Sequence, residues 1–221
     1  MDATYLLARL GRLDVCAVSD ALDKLGLPGS VTGLLQQSTT RRIAGRVVTC
    51  KLVAKADAPP PSEPPRHLGT AAVEEAQPGE IIVVEQRTGI DAGSWGGNLS
   101  LGAKQRRVAG VIIDGPVRDL DEARTYGFPI YARSVTARTA RGRIAEAFTN
   151  QPVIVGDVRV APGDYAIADA SGVAFIPATD IGRVLETAEA IAAHEAAMAK
   201  ALLDGQPMSQ VMGASYEYML N

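Results

Sequence analysis

Residues 93–122, GSWGGNLSLGAKQRRVAGVIIDGPVRDLDE, leave this chain little freedom in how it folds. Val111-Ile112-Ile113 is apolar throughout, too short for a core helix and bounded by turn residues, so it reads as a strand buried on both faces. Ahead of it an amphipathic helix opens at a Gly-rich turn, whose backbone N–H groups are free to face an anion. The strand is expected to stop at Asp114-Gly115-Pro116, after which Arg118 and Asp119 follow directly. A strand end that presents Arg beside Asp holds polar groups at the mouth of a sheet. With the helix packed back on the strand, the turn amides, a guanidinium and a carboxylate converge, and this is the expected active centre.

The rest of the chain reads as support. Residues 4–11 and 15–25 are expected helices, the second with Val15, Val18, Ala21, Leu22 and Leu25 at helical spacing, Asp20 and Asp23 outward, and Gly26 and Pro28 as its stop. Residues 43–54 are a Val-rich strand, and ADAPPPSEPPRHLG is an exposed extended loop. A short helix over 69–77, a buried strand over Ile81–Glu85, a helix over 119–126 ended by Gly127 and a strand over Ile130–Ala132 follow. Residues 133–150 are read as irregular. Strands are expected at 152–155, 158–160, 165–168 and 173–176, separated by Gly-Asp and Pro-Gly-Asp turns. Thr179 is expected to cap a helix over 180–203, with Ile181, Val184, Leu185, Ala188, Ile191 and Ala192 in one stripe. The tail 206–221 ends in Tyr216, Tyr218, Met219 and Leu220, which suits docking or self-association. Strands alternating with helices, then runs of strands, predict an α/β layered fold with mixed sheets and a long C-terminal helix, in a single domain over 1–221 with 206–221 as its tail.

The net charge of −3 and the lack of a basic run exclude nucleic acid as an expected partner; Arg133, Arg138, Arg141 and Arg143 read first as a solvated loop, with binding of a small polyanion or of a substrate's distal carboxylates as the alternative. No apolar stretch is long enough to span a membrane, and MDATYLLARLGRLD lacks the layout of a signal peptide. Cys16 and Cys50 have neither zinc nor redox spacing and are expected to be small core residues of a reduced, cytoplasmic protein. His67 and His194, the chain's two histidines, are too few for a His-rich metal site or an assembled Ser–His–Asp triad.

Position alone leaves Asp119 two roles. It is placed to cap the helix that follows, or to bind Mg²⁺ or Mn²⁺, cations that need few carboxylates and keep several waters. Asp121 and Glu122 are then local acids for the outer water shell. Arg118 is a surface partner for Asp121 or Glu122, or a bidentate grip on a carboxylate or developing enolate. Gly96-Gly97-Asn98-Leu99 lacks the dinucleotide-binding pattern. Trp95 reads as core, and Lys104, the motif's lysine and so the candidate for Schiff-base chemistry, as an exposed helix residue.

Gly97, then Arg118-Asp119, then Glu122, within WGGNLSLGAKQRRVAGVIIDGPVRD, together with YGFPIYAR and PGDYAIADASGVAFIP, resembles the class II pyruvate aldolases. These form the 4-hydroxy-4-methyl-2-oxoglutarate aldolase family, related to the regulator of ribonuclease activity A proteins; the likeness runs over residues 15–200. The resemblance implies a swivelling β/β/α-type fold, assembled as a trimer or hexamer with active sites between subunits. It implies that Arg118 holds the keto-acid oxygen, that amides of Gly96, Gly97, Asn98 and Leu99 hold the pyruvyl carboxylate, and that Asp119 binds a divalent metal. It draws an acid from a neighbour's C-terminal helix to the metal's waters, with Glu195 the first candidate and Glu189 the next. The implied activity is cleavage of 4-hydroxy-4-methyl-2-oxoglutarate or 4-carboxy-4-hydroxy-2-oxoadipate to pyruvate, with oxaloacetate decarboxylation on the side. The scaffold is shared with non-enzymatic regulators that bind ribonuclease, and the presence of Arg118, Asp119 and Glu122 favours the enzyme.

Overall fold

The computed structural model describes residues 2–60 and 66–213. The chain opens with α1 (Ala3–Leu10) and α2 (Val15–Lys24). Asp14 starts α2 by accepting the Ala17 amide on Oδ1 at 2.8 Å, which satisfies one of the orphan donors of the first turn. Short strands β1 (Ser30–Val31) and β2 (Leu35–Gln36) precede the long β3 (Ile43–Ala54). Then β4 (Ile81–Glu85), β5 (Gly110–Val117) and β6 (Ile130–Val135) lie parallel beside β3, joined through α3 (Thr70–Glu75), α4 (Gly97–Gln105) and α5 (Leu120–Tyr126). After β7 (Ile144–Thr149) come the ribbon of β8 (Val153–Val155) and β9 (Val158–Val160), the antiparallel pair β10 (Tyr165–Asp169) and β11 (Gly172–Ile176), and helices α6 (Ile181–Leu203) and α7 (Met208–Val211). The strand order is β1-β11-β10-β3-β4-β5-β6-β2, with β7 on β3.

Strand β3 joins an antiparallel half to a parallel one. Ile43 to Arg46 pair with β10, and Val47 to Lys51 pair with β4. Side chains alternate across each strand, so both faces of each half must be covered. Ile81, Val83 and Ile112 turn inward against Ala166, Phe175 and the β8–β9 ribbon. Ile82, Val84, Val111 and Ile113 turn outward under the layer of α3, α4 and α5. Tyr165, Ile167, Ala174 and Ile176 form the opposite outer face, beneath α1, α2 and α6. The result is two sheets back to back with helices outside each: the mixed α/β architecture expected, with helical cover on both outer faces. Two carboxylates clasp the ribbon to the parallel half. Glu85 accepts the Ile154 amide and Asp114 the Gly156 amide, both at 2.7 Å.

Gly45 of β3 has no room for a side chain. A Cβ there would lie 2.4 Å from the Gly79 carbonyl oxygen and 3.0 Å from Ile81 Cγ1. Gly45→Ala is expected to destabilise the fold by about 1–3 kcal/mol through overpacking. The check is the urea midpoint at unchanged m-value; a midpoint equal to wild type would mean that the Gly79 turn yields freely.

Some expectations need correction. Strand β5 does not stop at Asp114-Gly115-Pro116 but runs on to Val117, because a register shift after Ile113 accommodates the proline, which has no N–H to donate. Residues 133–150 are not irregular throughout: β6 reaches Val135, and Ile144–Thr149 form β7 on the far half of β3. Arg133 is not a free loop residue: it is half-buried, and its Nε meets the buried Asp114 carboxylate at 2.6 Å. Cys16 is exposed, on the side of α2 opposite its buried stripe, whereas Cys50 is buried and its thiol is pushed up by desolvation. At the start of α6, Asp180 rather than Thr179 stands at the cap position. The expected docking of Tyr216, Tyr218, Met219 and Leu220 lies outside the described residues. Among the described residues no helix is long and apolar enough to cross a membrane.

Candidate active site

The backbone of Arg118, just past β5, donates its amide to the Trp95 carbonyl at 3.0 Å, which ties the end of the strand to the turn before α4. Trp95 is fully buried and stacks with Phe128 at a centroid distance of 6.4 Å. Its indole N–H donates to Ser100 Oγ at 3.0 Å, and Ser100 Oγ donates to the Gly96 carbonyl at 3.0 Å. The Gly-rich turn therefore stands on a rigid floor.

The backbone of Asp119 bears on the capping reading. It sits at the cap position of α5 with φ 59° and ψ 40°, in the left-handed region, and its side chain makes no cap hydrogen bond. The carboxylate turns back toward α4 instead. Oδ2 accepts the Gly97 amide at 3.1 Å, and Oδ1 accepts Arg118 Nε at 3.0 Å. Both side chains keep about a third of their surface exposed, 35% for Arg118 and 32% for Asp119. Arg118 is thus paired with Asp119 rather than with Asp121, which Arg124 holds at 2.8 Å, or Glu122.

Three glycines make this approach possible. A Cβ on Gly93 would lie 2.8 Å from Arg118 Cγ, and one on Gly96 would lie 2.7 Å from Asp119 Oδ2. A Cβ on Gly97 would overlap Glu122 Oε2 at 1.5 Å. The spacing between Gly97 and the Arg118-Asp119-Glu122 set thus has a steric cause.

Arg118 and Asp119, with Gly96 to Leu99, line one side of a cavity of about 620 Å³. The amides of Asn98 and Leu99, in the first turn of α4, have no acceptor among the described residues, and the Gly97 amide is taken by Asp119. Glu122 lies over Gly97 but is not part of the cavity wall. Glu195 is exposed and also off the wall; desolvation first, then the charges of Asp14 and Asp20, raise its carboxyl above the usual range. Glu189 is engaged elsewhere, bidentately with Arg9 at 2.8 and 2.7 Å, and that bond holds its carboxyl low.

The far side of the cavity holds residues the motif did not point to: His67, Leu68, Thr139 and Arg141. They come from the end of the Pro-rich loop and from the segment before β7. His67 Nδ1 lies 2.9 Å from the Leu68 carbonyl oxygen. A carbonyl only accepts, so Nδ1 carries the proton in this contact.

A family model described as RraA-like, aldolase/RraA, matches residues 15–175. The chain belongs to the RraA-like family. Relatives of this RraA-like chain include protein DlpA of Legionella pneumophila, 25% identical over 93% of this chain and 33% of that protein. Another is a Halalkalibacterium halodurans protein provisionally named a 4-hydroxy-4-methyl-2-oxoglutarate aldolase, 33% identical over 60% of this chain and 63% of its own length. The chain thus spans about a third and three fifths of these two relatives. In fold it is similar to Streptomyces coelicolor RraAS2, described as an unusual member of the RNase ES inhibitor RraA family. The TM-score is 0.76 at 24% identity, covering 88% of this chain and 95% of RraAS2.

Proposed function

We propose that this RraA-like chain is a divalent-metal-dependent aldolase. It cleaves 4-hydroxy-4-methyl-2-oxoglutarate or 4-carboxy-4-hydroxy-2-oxoadipate to pyruvate and a second keto acid, and decarboxylates oxaloacetate as a side activity. The observation that carries this reading is the Asp119 carboxylate, turned out of its own helix cap and held at a cavity wall beside Arg118.

The donor set suits Mg²⁺ or Mn²⁺. Among the described residues no three His, Cys, Asp or Glu side chains form a metal cage. Magnesium does not require one, since it binds through one or two carboxylates and keeps several waters. Each Asp119 oxygen accepts one hydrogen bond here and retains a further lone pair. When bound, the cation supplies positive charge at the keto-acid oxygens and acidifies a water.

The side chains do the rest. The amides of Asn98 and Leu99 receive the pyruvyl carboxylate at the positive end of α4. Arg118, whose Nε is fixed by Asp119, turns its remaining guanidinium donors to the C2 oxygen. A water takes the C4 hydroxyl proton and returns one to C3 at the end; the C3–C4 bond breaks, its electron pair forms the C2–C3 double bond and the carbonyl pair moves to the C2 oxygen, giving pyruvate enolate and the second carbonyl product. Arg118 stabilises that growing charge, and protonation at C3 completes pyruvate. Loss of CO₂ from oxaloacetate yields the same enolate. In a homotrimer or hexamer, Glu195 of a neighbouring subunit is the acid proposed for the metal's water shell, since Glu189 is already paired with Arg9.

A coupled pyruvate assay over a panel of 4-hydroxy-2-oxo acids tests this. Pyruvate release is expected with Mg²⁺ and is expected to vanish with EDTA. Release that survives EDTA and is lost irreversibly on borohydride treatment with substrate would transfer the chemistry to a lysine. No release from any acid, with tight capture of a ribonuclease, would favour the regulator reading suggested by the fold's likeness to RraAS2.

A further inference from the structure

A second cavity, of about 580 Å³, adjoins the first. His67, Leu68, Ala140 and Arg141 line both, so the two meet along a shared wall. Their electrostatics differ. The first has a carboxylate beside its arginine, whereas the second is lined by Lys55, Arg66 and Arg141 with Glu146 as its single acid among the described residues. Against these three cations that one carboxylate leaves the wall net positive, and neutral donors hold it in place. Glu146 Oε2 accepts the Gly69 amide and Oε1 accepts Thr149 Oγ1, each at 2.7 Å. Neither Lys55 nor Arg141 has an ion-pair partner among the described residues, and Arg66 has only an exposed contact of 3.4 Å with Glu74. Concave walls with unbalanced like charge focus field on a counter-ion.

We infer that the second cavity is the subsite for the far anionic group of the substrate, with Lys55 and Arg141 as its charge contacts and His67 at the junction. This rests on the reading of Arg118 and Asp119 as the keto-acid end. The substrates proposed above all carry a further carboxylate, and this assigns discrimination against uncharged tails to residues outside the Gly97–Glu122 motif. His67 lines both cavities at their boundary.

The test is binding, which does not need turnover. Calorimetry in Mg²⁺ buffer compares 2-oxoadipate with 2-oxohexanoate and 2-oxopimelate with 2-oxoheptanoate, pairs equal in length that differ in the distal carboxylate. At least one diacid is expected to bind at least about tenfold tighter than its partner, as charge-assisted hydrogen bonds would give. That ratio should fall toward unity in Lys55→Ala and in Arg141→Ala. It should shrink in high salt and hold in Lys200→Ala, a charge-matched control whose lysine pairs with Asp204 at the end of α6. Both target side chains are exposed, so the variants should melt like wild type, which thermal unfolding verifies. Equal affinity for diacid and monoacid in the wild type, or a ratio that neither variant moves, overturns the assignment. Pyruvate release is scored separately: its absence with the diacid preference intact would count against the aldolase reading alone.

Discussion

Asp119→Ala is expected to reduce Mg²⁺-dependent pyruvate release by about 10³-fold, to the floor of the assay. The change removes the one carboxylate proposed to bind the cation, and it also deprives Arg118 Nε and the Gly97 amide of their shared acceptor. Alanine adds a backbone cost of about 1–2 kcal/mol at a positive φ. Asp119→Asn is therefore the cleaner variant, since it keeps the left-handed geometry and an acceptor oxygen while deleting the charge. Both should lose activity together, and the asparagine variant should stay closer to wild type in melting temperature. An active Asp119→Asn enzyme that is still inhibited by EDTA would mean that the cation is held elsewhere.

Arg118→Ala is expected to lower kcat/KM by about 10²-fold or more, the cost of removing one preorganised donor from a developing oxyanion. Most of the loss should fall on kcat, because the contact strengthens as charge moves onto the C2 oxygen. Arg118→Lys should recover only a small part. Lysine brings the charge but not the fork that lets Nε bind Asp119 while the terminal nitrogens face the substrate. A rise in KM at constant kcat would recast Arg118 as a ground-state anchor, and a near wild-type rate would remove it from the reaction.

Much of this arrangement is legible in the sequence because its causes are local. The β4 and β5 runs are apolar on both faces since two different cores take alternate residues, and a buried parallel strand leaves that signature. The Gly97-to-Glu122 spacing is readable only through its resemblance to the aldolase signature, and its steric cause is seen in the structure alone. Strand β7 is not, because IAEAFT is only partly buried and becomes a strand by pairing with β3 about ninety residues earlier in the chain. The extension of β5 through Asp114-Gly115-Pro116 is hidden for a similar reason: the turn signal is real, but a bulge absorbs it. The far wall of the cavity is the least legible part. His67 follows a Pro-rich loop, Arg141 lies in an Arg-rich segment, and neither stretch has a periodicity that would bring them together. Arg133 shows the converse, an arginine of that same segment committed to a buried carboxylate that no local pattern discloses.

The left-handed backbone at residue 119 channels how this position can drift. Aspartate, asparagine and glycine occupy that region with little penalty, whereas branched and bulky residues do not. Asparagine and glycine codons are each a single base change from an aspartate codon, so a lineage that abandons cation chemistry has two short exits that spare the scaffold. A mutant library sorted for folding alone should retain all three residues at this site; the same library sorted for turnover should retain aspartate. The gap between those two lists would separate what the polypeptide needs in order to stand from what the reaction needs in order to run.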